Sequence, residues 1–173
     1  MVTDIAELLV RTGAVEFGTF TLASGKRSNY YVDIKSAVTQ PEILKRIAEE
    51  VAGRFTFDVV AGVAVGGVPL AVAVSLVSGR PFAIIRSAEK DHGKKGRIIG
   101  KVEGKRVLLV EDVTTSGGSA LYGIGELRSV GALAETVATV VDREEGAADT
   151  LSKHHVKLVP LARVSEILAL HRT

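Results

Sequence analysis

The spacing of hydrophobic positions changes along the chain, and that change outlines its elements. Ile5, Leu8 and Leu9 recur at helical spacing just after Thr3, a residue suited to capping, and predict a short opening helix that Gly13 ends. From Glu16 to Val38 the pattern turns β-favouring, with Phe17, Phe20 and Leu22, then Tyr30, Tyr31, Val32 and Ile34. A polar break, Ser24-Gly25-Lys26-Arg27-Ser28, separates the two groups, so two short strands or extended segments are expected. Pro41 opens a helix with Ile43, Leu44, Ile47, Ala48 and Val51 on one stripe.

The remainder alternates compact apolar runs with helical ones. Strands are expected at 59–63, 82–86, 107–110, 138–141 and 158–161, and helices at 69–77, 119–130, 147–154 and 164–170. Strands without hydrophobic alternation, separated by helices, indicate an α/β fold with a central, mostly parallel sheet flanked by helices. Right-handed crossovers then bring the strand C-terminal ends to one edge, where such sheets bind ligands.

Composition narrows the class without choosing an activity. The 173 residues suit one domain, 1–173, with 1–40 as a small segment packed on the α/β core. Apolar content of 46% with 24% charged residues is that of a globular protein. A net charge of +2 gives no reason to expect nucleic acid or a membrane surface as partner. No window has the length of a membrane span, and Met1-Val2-Thr3-Asp4 lacks the order of a signal peptide, so a cytoplasmic protein is expected. Without cysteine there is no thiolate chemistry.

The chemistry concentrates in Val107-Leu108-Leu109-Val110-Glu111-Asp112-Val113-Thr114-Thr115-Ser116-Gly117-Gly118-Ser119-Ala120. A buried strand leads into two acids, a loop of hydroxyl residues and glycines, and a helix start. Unobstructed backbone N–H groups, hydroxyl donors and a helix N-terminus suit a phosphate monoester. The carboxylates would repel that phosphate, and fit better one step away, on sugar hydroxyls or a hydrated metal ion. Taken alone, an acid pair ending a strand before a tight turn would explain the residues as well. The sequence is neither a Walker loop nor a GxGxxG loop.

This segment resembles the phosphoribosyl-pyrophosphate motif of the type I phosphoribosyltransferases. The resemblance implies that family's fold, with a small N-terminal hood and a flexible β-hairpin loop. It also implies that Glu111 and Asp112 hold the ribose hydroxyls, while Val113, Thr114, Thr115, Ser116, Gly117, Gly118 and Ser119 grip the 5-phosphate. Three further segments resemble the orotate-using branch. The first is Phe20-Thr21-Leu22-Ala23-Ser24-Gly25-Lys26-Arg27-Ser28-Asn29-Tyr30-Tyr31-Val32-Asp33, which offers cations and hydroxyls beside aromatic faces. It implies contacts from Lys26, Tyr31 and Val32, although a surface hairpin would read the same.

The second is 86–97, with five cationic residues against two acidic ones, a pattern that a solvated hairpin also shows. It is similar to the family's catalytic loop, with Arg86, Lys90 and His92 matching its arginine, lysine and histidine. The resemblance places Lys90 and His92 on the departing pyrophosphate, and makes Lys90, His92 and Asp112 the catalytic set. It implies a homodimer in which 86–104 is shared across the interface. The third is Val140-Val141-Asp142-Arg143-Glu144, where Arg143 would grip the orotate carboxylate with Thr115 beside it.

Gly66 and Gly67 would offer backbone N–H groups to pyrophosphate, and magnesium is implied, held mainly through phosphoribosyl pyrophosphate without a dedicated protein ligand set. Many bacterial members have lysine where Ala23, Ser87 and Gly66 stand here. Lys26, Arg27, Lys94 or Lys95 are the candidates to compensate. The activity implied is phosphoribosyl transfer to orotate in pyrimidine biosynthesis. The rivals are transfer to another base and a non-catalytic sensor of the same fold. His154-His155, expected on a helix, lacks metal-ligand spacing, and His171 suggests no role.

Overall fold

The computed structural model describes residues 4–21, 25, 27–87 and 96–171. Lys26, Lys90 and His92 lie outside the described residues, as do Ala23, Lys94 and Lys95. The first helix, α1 (Ile5–Arg11), is capped by Asp4, whose carboxylate accepts from the Ala6 N–H at 3.0 Å, in place of the Thr3 cap expected. Strands β1 (Val15–Thr21) and β2 (Arg27–Val32) pair antiparallel as a two-stranded sheet. An extended continuation was expected next, but Asp33 caps a one-turn helix, α2 (Ile34–Ala37), through the Ser36 N–H at 3.0 Å. Four residues are too few to show a helical period in the sequence. Pro41 begins α3 (Pro41–Arg54), which buries Ile43, Ile47, Ala48 and Val51.

The rest alternates: β3 (Val59–Val63), α4 (Gly67–Ser78), β4 (Phe82–Ile85), β5 (Ile98–Ile99), β6 (Arg106–Thr114), α5 (Gly118–Ser129), β7 (Leu133–Asp142), α6 (Ala147–Ser152), β8 (Lys157–Arg163) and α7 (Val164–His171). The described residues form a six-stranded sheet in the order β5-β4-β3-β6-β7-β8. All neighbours are parallel except the short β5, which runs antiparallel to β4. Pro160, unable to donate to a ladder, sits in the edge strand β8.

Alternate residues of the central strands supply two apolar layers. Val60, Leu108, Val110, Ala138 and Val140 join residues of α1, α2, α3, α4 and α7 in one cluster. Val59, Ala61, Val63, Leu109 and Val137 join α5 and α6 in the other. The sheet is thus covered on both faces, as its uninterrupted apolar strands require. At the opposite edge from the site, Arg106 clamps Asp58 with a fork of contacts at 2.9 and 3.1 Å and holds its carboxyl well below the usual range. His154 and His155 stand in the turn after α6, not on a helix, and their carbonyls accept from Arg128.

Candidate active site

Strand β6 runs further than its apolar run suggested, because pairing with β7 continues to Thr114↔Asp142. Glu111 and Asp112 therefore lie inside the strand, where successive side chains leave on opposite faces. Glu111, buried on the α5 side, accepts from the Ser119 hydroxyl at 3.0 Å. Burial raises its carboxyl to about 7, reinforced by the neighbouring Asp112 charge and opposed by Ser119 and Lys35. Asp112, also buried, faces the loop after β3 and α2. A Cβ built on Gly66 would lie 2.5 Å from Asp112 Oδ2, so only glycine fits beside that carboxylate as it stands. Lys35 Nζ lies 3.8 Å from the same oxygen.

The hydroxyl-glycine loop is correspondingly shorter. Thr114 is buried, and its hydroxyl lies 3.3 Å from Asp142 Oδ1. Thr115 and Ser116 are exposed at the sheet edge, followed by Gly117, which caps α5 in the left-handed region at φ 85°. Gly118 and Ser119 open the helix, so its free N–H groups face the space above the strand. Val113 is half-buried.

Arg143 follows β7, its N–H donating to the Thr114 carbonyl at 2.9 Å. Its guanidinium lies over the Tyr30 ring, 5.5 Å from the centroid, and joins the β1–β2 sheet to the site. Arg143 Nε is 2.9 Å from Glu145 Oε1 yet forms no hydrogen bond, because its N–H is not aimed at that oxygen. The contact is an ion pair by charge, leaving the fork's directional donor free for a planar acceptor. On β2 the period of two places Tyr30 and Val32 half-buried and Tyr31 outward, near Phe20 at 5.7 Å. Arg86 closes the base of the charged segment: its N–H donates to the Arg97 carbonyl at 2.8 Å, and its carbonyl accepts from Tyr122 at 2.6 Å.

Asp112, the Gly66 loop, the Thr115–Gly117 turn and Arg143 thus meet at the C-terminal ends of β3, β6 and β7. Gly67 begins α4 just behind that loop. Tyr30, Lys35 and Glu145 were not singled out by the sequence. Tyr30 stands beside Tyr31 in the same run, and strand alternation turns it inward, towards Arg143. Residues 33–161 match the phosphoribosyl transferase domain. The chain is 60% identical to an orotate phosphoribosyltransferase of Methanocorpusculum labreanum over 98% of its own length and 100% of the relative's.

The chain belongs to the orotate phosphoribosyltransferases. Solved structures of the family superpose on it along nearly its whole length. One from Aeropyrum pernix gives a TM-score of 0.84 at 33% identity, covering 97% of this chain and 98% of that one. One from Mycobacterium tuberculosis, in complex with 5-phospho-α-D-ribosyl 1-diphosphate, gives 0.78 at 32% identity, covering 95% and 99%. The α/β architecture with its mostly parallel sheet is therefore that of the family.

Proposed function

We propose that the loops converging on Asp112 are where this chain performs its reaction. As an orotate phosphoribosyltransferase, it transfers the phosphoribosyl group of phosphoribosyl pyrophosphate to orotate, giving orotidine 5'-monophosphate and pyrophosphate in pyrimidine biosynthesis. The observation that carries the assignment is the opposition of two unlike half-sites. A glycine turn with exposed hydroxyl residues opens α5, and a half-buried arginine after β7 has its guanidinium over an aromatic ring.

In this reading Thr115, Ser116, Gly117, Gly118 and Ser119 hold the 5-phosphate, with Val113 and Thr114 shaping the turn behind them. Asp112 and Glu111 orient the ribose, and Asp112 faces the positive charge that builds as pyrophosphate departs. Arg143 binds the orotate carboxylate as a fork, Thr115 lies between the two substrates, and Tyr30 and Val32 border the base from the hood, with Tyr31 further out. The N–H groups of Gly66 and Gly67 take pyrophosphate together with Arg86, Lys90, His92 and Lys26. His92 is the proton donor to it and Lys90 its counter-charge, completing the catalytic set with Asp112.

Among the described residues no group of three metal-ligating side chains comes together. In this reading magnesium is carried mainly by the substrate's phosphates and water. Bound there, the ion would neutralise charge on the leaving group. Residues 1–40 act as a hood within a single domain. The enzyme works in the cytoplasm, among charged substrates that do not cross membranes, and no described helix is long and apolar enough to cross one.

A homodimer belongs to the same reading. Helix α4 is apolar on every side, and Leu76 is 81% exposed, with Val77, Phe82 and Ile99 exposed on α4, β4 and β5. A second copy would cover this surface and bring 86–104 into its partner's site. The assay that tests the reaction follows orotate absorbance with phosphoribosyl pyrophosphate and magnesium, with uracil, adenine and hypoxanthine as parallel acceptors. Orotate alone should react, and Arg143→Ala should raise the orotate KM by about tenfold or more. Turnover of another base, or an unchanged orotate KM in the variant, would overturn the Arg143 assignment.

A further inference from the structure

We propose that Lys35 is the cation that binds the pyrophosphate end of the sugar substrate beside Asp112, in place of a charged side chain that the loop after β3 does not carry. The inference rests on the assignment of that loop to pyrophosphate. The loop reads Ala64-Val65-Gly66 and brings no charge to neutralise a diphosphate. A side chain at Gly66 would require Asp112 to move, because its carboxylate stands 2.5 Å from where a Cβ would lie. The same oxygen, Asp112 Oδ2, has Lys35 Nζ at 3.8 Å. A positive charge from the neighbouring element therefore stands beside the same carboxylate that a side chain at position 66 would border.

Local structure fixes its approach. Asp33 caps α2 through Ser36, and Ile34 and Ala37 are buried on the helix's inner side. Lys35 is thereby held at the rim, its side chain 72% exposed against 11% for Asp112. At 3.8 Å in solvent the pair is weak, so the ammonium can turn to an arriving phosphate at little cost. Its three donors can serve a phosphate oxygen and the carboxylate together, which screens the diphosphate from Asp112. Lys26, Arg27, Lys94 and Lys95 were the compensating residues expected from sequence. Lys35 went unnoticed because it lies in a helix of one turn.

The test compares the full-length enzyme with Lys35→Ala and Lys35→Arg, under magnesium and orotate. Lys35→Ala should raise the KM for phosphoribosyl pyrophosphate about tenfold and weaken inhibition by pyrophosphate by a similar factor. The orotate KM and the affinity for ribose 5-phosphate should stay within about twofold, and Lys35→Arg should recover most of the loss. Should Lys35→Ala lower the unfolding temperature, Lys35→Gln is measured in its place. An unchanged KM for phosphoribosyl pyrophosphate would overturn the inference, as would equal weakening of ribose 5-phosphate and pyrophosphate. Wild-type enzyme that fails to use orotate would instead overturn the reaction on which it rests.

Discussion

Glu111 is a carboxylate enclosed where its charge is poorly solvated, and its raised value of about 7 makes stability depend on pH. In the unfolded chain it titrates near 4.5, so below that both states are protonated and nothing is lost. Between 4.5 and about 7 the unfolded chain gives up this proton while the fold retains it, and stability declines until the group ionises in both. The decline amounts to an order of 3 kcal/mol. Glu111→Gln, which keeps the shape and stays neutral, should remove this part of the decline. Thermal unfolding at pH 5 and pH 8 measures it; an equal fall in both proteins would mean that Glu111 is ionised in the fold throughout. At this scale the sequence showed which residue types gather, but not their direction. The acid pair was legible, while its split onto two faces of β6, and the inward turn of Tyr30 beside an outward Tyr31, needed the pairing of backbones.

The element that organises the site is the turn from β6 into α5, and its tightest point is Gly117. There φ is 85°, and a Cβ would meet the Ala147 Cα at 3.1 Å. A side chain thus incurs left-handed strain of about 1–2 kcal/mol and also presses on the start of α6. Gly117→Ala should lower stability by at least that amount and weaken phosphoribosyl pyrophosphate binding, since the N–H groups of Thr115 to Ser119 would shift together. Urea unfolding with a substrate titration checks both, and an unchanged midpoint would show that the turn relaxes freely. The order of long elements was legible because each carries its own apolar period. Ends were less so: β6 extends through Thr114 because β7 supplies partners, and β7 itself begins at Leu133, outside the compact apolar run. Such extension depends on a neighbouring strand, not on local composition.

At the scale of the whole molecule, the proposed role of the charged segment 86–104 depends on its reaching an Asp112 site. Its base is pinned by the β4–β5 pairing and by Tyr122, which accepts from Arg97 and donates to the Arg86 carbonyl. That pinning holds Arg86 and Arg97 at the sheet's outer edge, where β5 is the last strand, while Asp112 stands on β6, two strands inward of β4. Helix α4, apolar all round, and the exposed Phe82 and Ile99 are the surface that the proposed second copy would cover. If two copies meet there, Lys90 of each can serve the Asp112 of the other. Mixing tests this directly. Lys90→Ala keeps a sound Asp112 site, and Asp112→Asn keeps a sound loop, so each homodimer should be nearly inactive. Co-refolded or subunit-exchanged mixtures form heterodimers in which one site receives both an intact loop and an intact carboxylate, and activity should return. Sedimentation of the same mixtures establishes that dimers are present. Dimers without recovered activity would mean that each loop serves its own subunit, because both sites of such a heterodimer would then lack one group.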